Sequence, residues 1–152
     1  MNTRRFALVL GIVYLAVGIM GFIPGLVSHP HPGDPGLNVN HNHGRLLGIF
    51  PINTLHNIVH ILVGVWGLAS FRRFTLARGF ARGLAIFYGL LAVMGLFPNL
   101  NTTFGLIPIH GHDVWLHALT ALLAAYFGWV ADRSYVERDV LVTDVGRTGD
   151  RV

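Results

Sequence analysis

Four long apolar runs, separated by three polar segments, divide the chain: Phe6 to Val27, Ile52 to Phe71, about 79 to 97, and about His112 to Ala131. A helix needs about 20 apolar residues to cross hydrocarbon about 30 Å thick, and each run is near that length. Strands would have to close into a barrel, and the runs lack the alternation a barrel requires. The expected fold class is therefore all-α, an integral membrane four-helix bundle occupying residues 1–131. Residues 132–152, with five acids and four Arg, are expected to be a mobile cytoplasmic tail.

The intervening segments fix the expected topology. Residues 28–47, rich in Pro, Gly, Asn and His, read as an irregular loop, and Arg72 to Arg82 as a basic hairpin anchored at the headgroups. All 11 basic residues are Arg: two at the N-terminus, four in the middle hairpin, four in the tail, and Arg45 alone between the remaining spans. Such clustering places both termini and the middle hairpin on the cytoplasmic side. It also accounts for a pI near 10.3 without nucleic acid. The expected location is a bacterial cytoplasmic membrane, crossed several times. Composition agrees, at 53% hydrophobic and 12% charged with a mean hydropathy of +0.56. The absence of cysteine removes disulfides, thiolate metal sites, iron–sulfur clusters and thiol catalysis. The first run is read as a retained helix, being too long for a signal peptide and lacking a small-residue cleavage site.

The chain also matches itself. A shift of 74 superposes Tyr14 on Tyr88, Met20 on Met94, Gly21 on Gly95 and Pro24 on Pro98; a shift of 57 superposes Gly48 on Gly105, Pro51 on Pro108 and His60 on His117. Two copies of one transmembrane hairpin, about 6–71 and 80–131, are expected, related by a pseudo-two-fold axis along the membrane normal. The prolines are expected to mark the outer boundary, Pro51 and Pro108 early in the second helix of each copy.

The candidate chemistry is a set of histidines. His56 and His60 lie four apart, on one helical face, and the duplicate positions are Asp113 and His117. Ionisable groups inside a membrane are costly and face an interior or a cavity. His60 and His117 are expected roughly 13 Å below their prolines, in one layer with Tyr14 and Tyr88, with Asn57 as a further hydrogen-bonding neighbour. Four readings stand side by side. One is a divalent metal site of His56, His60, Asp113 and His117, joined by His112 from the outer loop. Another is a b-type haem with His60 and His117 as axial ligands. A third is a proton or ion pathway, and the fourth is a purely structural set locking the helices together. Enzymatic catalysis is not supported, since no nucleophile and base pair, nucleotide loop or acidic dyad lies in the spans.

The stretches from Pro51 to His60 and from His110 to His117 resemble characteristic runs of a bacterial four-span membrane protein family known as domain of unknown function 4383. The likeness covers about residues 5–131 and implies a four-helix membrane fold, with no established activity, ligand or partner. Expected partners are membrane lipid and, since the chain is small, a second copy or a larger membrane complex in which it would be an accessory subunit.

Overall fold

The structure, a computed structural model, describes residues 1–132. Among these it is mostly helical, with four α-helices: α1 (Thr3–Met20), α2 (Thr54–Ser70), α3 (Phe74–Gly95) and α4 (His112–Ala125), the last continued by a π-helical turn, Tyr126–Val130. Three are long and apolar enough to cross a membrane: α1, α3, and α4 with its π turn. The fourth, α2, is apolar and shorter, at 17 residues.

The distribution of side chains is the reverse of that in a protein bathed by water. Large apolar residues are exposed on every helix, among them Ile12, Leu62, Ile86 and Leu122. Buried positions include His56, Asn57, His60, Asp113, His117 and Thr120. Such an apolar surface is stable against lipid and is a liability in water.

α1 packs on α2, and α3 on α4, as two close pairs. Glycines make the first contact: a Cβ at Gly11 would meet the backbone of Gly64 and Leu68 at 2.8–3.1 Å, and one at Gly67 would meet Cα of Gly11 at 2.8 Å. The pairs join through a core of Phe6, Tyr14, Phe80, Leu84, Tyr88 and Phe127, with Phe6 stacked on Phe127 at 4.5 Å. At the same end Thr3 donates from its hydroxyl to the Phe127 carbonyl, and from its N–H to Asp132.

Several boundaries differ from the sequence reading. The first helix stops at Met20 instead of reaching Val27, because the Gly21 carbonyl is taken by the side-chain amides of Asn42 and Asn57. The basic segment 72–82 is mostly helix. Only Phe71–Arg73 turns the chain, and Arg78 and Arg82, one turn apart on α3, both donate Nε–H to the Gly128 carbonyl at 3.0 and 2.9 Å. A π turn leaves carbonyls without their usual helical donors, and these arginines supply donors. Pro51 and Pro108 do not open helices; each precedes its helix by three or four residues.

The all-α expectation also fails in one place. The segment read as an irregular loop contributes to a small antiparallel sheet, β1 (Val27–Ser28), β2 (Gly44–Leu46) and β3 (Phe50–Ile52), in the order β1-β2-β3. Gly44 pairs with Ile52, and Leu46 with Phe50. The turn between β2 and β3 needs left-handed backbone at Leu47 (φ 53°) and Gly48 (φ 74°). Buried backbone must be hydrogen-bonded, and these short strands do it for a segment packed on the helix ends. The expected tail lies, apart from Asp132, outside the described residues.

Candidate metal centre

Local sequence sets α2 in place at its first turn. Asn53 caps the helix, its Oδ1 accepting from the His56 N–H at 2.9 Å. Its Nδ2 donates to the Val39 and Leu106 carbonyls at 3.0 and 2.6 Å, so one buried amide joins the α1–α2 and α3–α4 connections to the helix. One turn on, His56 Nδ1 lies 3.1 Å from the Pro51 carbonyl. A carbonyl only accepts, so Nδ1 carries the proton and Nε2 presents its lone pair.

From that anchor the site assembles across α2 and α4, with α1 and α3 supplying the tyrosines beside it. The His56 and His60 rings lie 4.4 Å apart on α2, and His117 on α4 is 6.2 Å from His56. One nitrogen from each of these three buried imidazoles falls within 4.8 Å of the other two. Asp113 Oδ2 stands 3.5 Å from His117 Nε2 and 3.8 Å from His56 Nε2, with both side chains of each pair almost wholly buried. Below the imidazoles, Tyr14 packs on His60 at 5.2 Å, and Tyr88 on His117 at 4.9 Å. The tyrosine rings themselves are 5.2 Å apart, and the Tyr14 hydroxyl donates to Thr120 at 3.2 Å.

Two features separate this set from an ordinary buried hydrogen-bond network. Among the described residues, His60 Nδ1 and both nitrogens of His117 have no hydrogen-bond partner, nor does Asp113 Oδ2. A buried polar atom left this way costs about 1–3 kcal/mol. Second, the three imidazoles converge. A cavity of about 170 Å³ adjoins them, with the three histidines on one side and Val59, Phe87, Leu91 and Ile107 among its other walls.

The expected site residues are therefore distributed as follows. His56, His60 and His117 come together, and Asp113 stands beside two of them outside the convergent trio. His112 is exposed at the first position of α4 and is not in the group; the chain enters α4 through Gly111 at positive φ. Its neighbour His110 is the buried one. Asn57 does not serve the histidines: its amide donates to Gly21 and ties α2 to the end of α1. The histidines also lie nearer the helix ends than the prolines implied. His60 is about 9 Å of helical rise beyond the start of α2.

The sequence reading missed Asn53, the Pro51 carbonyl and Thr120. Asn53 had a signal, an Asn immediately before an apolar helical run; Thr120, from a helix facing Tyr14, had none.

Outside the helices a second polar group holds the outer cap. Arg45 donates from Nε and Nη2 to Asp34 at 3.0 and 2.6 Å, and from Nη1 to the Ile49 carbonyl. The Arg45 guanidinium holds the Asp34 carboxyl down at about 2. Burial pushes the His43 and His110 imidazoles below the usual histidine range, with Asp34 opposing in both.

A family model described as Domain of unknown function (DUF4383) matches residues 4–130. No curated protein and no solved structure matches the chain.

Proposed function

The chain belongs to the DUF4383 family, and from that premise we propose that it is a multi-pass membrane protein that binds a divalent first-row metal ion through His56, His60 and His117. The observation that carries this reading is the convergence of one nitrogen from each of three buried imidazoles within 4.8 Å, in a set where His60 and His117 also carry ring nitrogens with no hydrogen-bond partner among the described residues. A tetrahedral set at a Zn–N distance of 2.0–2.1 Å has its nitrogens about 3.3 Å apart, so small side-chain rotations close the trio on an ion. The Nδ1–H of His56 on the Pro51 carbonyl is the outer-shell contact that fixes a ligating tautomer. Asp113 supplies charge compensation beside His56 and His117.

Haem is disfavoured on size. The adjoining cavity, about 170 Å³, is well below the ≈ 300–1,000 Å³ of pockets that enclose drug-sized ligands. A structural set is disfavoured because interlocking histidines would satisfy one another.

The proposed frame is N-in and C-in, with the metal site toward the outer face, in a hairpin that occurs twice. Support for the repeat comes from backbone at matching positions. Leu47 and Gly48 are left-handed before α2, and Phe104 and Gly105 before α4. The Gly44 and Ile52 pairing has its counterpart in the bond from Ile109 N–H to the Asn101 carbonyl. Gly21 packs against Asn57, and Gly95 against Val114.

The test is elemental analysis together with an optical spectrum of the full chain, purified in detergent with native lipid. The reading predicts a stoichiometric, colourless or d–d-absorbing metal, lost in both His60→Ala and His117→Ala while the helical circular dichroism persists. A Soret band would transfer the site to haem. A folded protein free of both would leave the histidines structural and put an accessory-subunit role first.

A further inference from the structure

The cavity beside the histidines has a chemistry of its own. Its volume is about 170 Å³, and apart from the imidazoles, Tyr88 and Thr103 its walls are aliphatic or aromatic. Apolar cavities of about 150 Å³ stay dry and take up benzene-sized molecules or xenon. This one is also placed to fill from the bilayer. α2 packs chiefly on α1, and α3 on α4, so the seam between α2 and α3 is thinly packed. On that seam Phe87 is exposed at 41%, and Val59 and Leu91 are half-buried. From above, the cavity is closed by the α3–α4 connection, which contributes Thr103, Ile107 and Ile109. That connection is pinned to the first outer loop through the Asn38 N–H on the Gly105 carbonyl at 2.8 Å, and through Asn53 on Leu106.

We propose that this cavity binds a small uncharged apolar molecule, no larger than one aromatic ring, that enters laterally from the lipid between α2 and α3 and lies against the three histidines. A charged or strongly hydrated ligand would have to shed water into walls that offer it few hydrogen bonds. Three imidazoles on an ion leave a fourth position for an exogenous molecule. The cavity is lined by all three histidines, whereas Asp113 does not line it. Contact with a metal rests on the function proposed above; uptake by the cavity does not.

The two are therefore tested separately, with the full chain in phosphatidylcholine nanodiscs. Xenon is the first probe, followed by its NMR signal on metal-free protein. The proposal predicts a protein-dependent shift beyond that of empty nanodiscs, abolished in Ile107→Trp and in Leu91→Trp, which fill the cavity and keep all three histidines. Two positions are used so that one misfolded variant leaves the other to decide. An identical xenon shift in the wild type and in a folded filling variant overturns the proposal. The second probe is Co(II), with binding counted by elemental analysis. Bound Co(II) that broadens the shifted xenon signal places the cavity at the metal; bound Co(II) that leaves it unchanged overturns that placement. Failure of Co(II) to bind sinks the metal reading alone, and the xenon result then stands by itself.

Discussion

Of the seven acids in the chain, only Asp34 and Asp113 precede residues 132–152; Asp34 is paired with Arg45, whereas Asp113 stands 3.5 Å from His117 with no hydrogen-bond partner for its Oδ2 among the described residues. Arg45 was the one arginine on the wrong side of the charge count. Its guanidinium is paired with Asp34, so its positive charge is balanced within the α1–α2 connection. Removing one member of this partly buried pair loses two charge-assisted hydrogen bonds, and Asp34→Asn should cost about 1–2 kcal/mol, read as a lowered unfolding temperature. The pH dependence follows from the same pair. Because the folded carboxyl sits at about 2, below its ordinary 3.8, its contribution is fully present above pH 3.8 and is lost as pH falls through about 2. Wild-type protein should lose stability across that interval, and the part due to Asp34 should vanish in Asp34→Asn. At the candidate centre, Asp113→Asn should weaken metal binding by roughly 10–100-fold, as loss of an outer-shell carboxylate does, measured by competition with a chelator. Asn53→Ala removes a helix cap worth about 1 kcal/mol, together with both loop anchors. It should accelerate hydrogen exchange in residues 39 and 106 as well as in the first turn of α2.

At the scale of elements, hydrophobic run length located every helix, but the polar side chains that end them were not visible in it. α1 stops where Asn42 and Asn57 reach the Gly21 carbonyl, a contact between residues 21 and 36 positions apart in sequence. The small sheet was hidden for a related reason. Its strands are two or three residues long, too short for any alternation to show among the prolines and glycines around them. Helix packing makes a sharper prediction. A Cβ at Gly64 would fall 2.5–2.7 Å from the backbone and Cβ of Leu15, with nothing flexible to yield, whereas one at Gly25 meets nothing within 4 Å. Gly64→Ala should therefore cost about 1–3 kcal/mol by forcing α1 off α2, and Gly25→Ala should be close to neutral in the same unfolding assay.

For the molecule as a whole, the i, i+4 spacing of His56 and His60 and the match of His60 to His117 made the candidate trio legible before any coordinates. Asp113 was legible in the same way, as the counterpart of His56. Which nitrogens lack partners, and that a cavity lies against them, depends on how α2, α3 and α4 meet, and no local pattern encodes it. His112 and Asn57 stand apart from the trio for this reason: His112 follows the Gly111 turn into an exposed position, and the Asn57 amide is drawn to the Gly21 carbonyl. The resulting molecule is apolar outside, and beside its aromatic core three imidazoles and a carboxylate meet in the interior. X-ray absorption at the zinc edge, on the full-length protein loaded with one equivalent of Zn²⁺ in nanodiscs, tests that arrangement most directly. The account predicts a first shell containing three imidazole nitrogens at 2.0–2.1 Å, falling to fewer in His60→Ala. A first shell of oxygen alone, unchanged by that substitution, would contradict it.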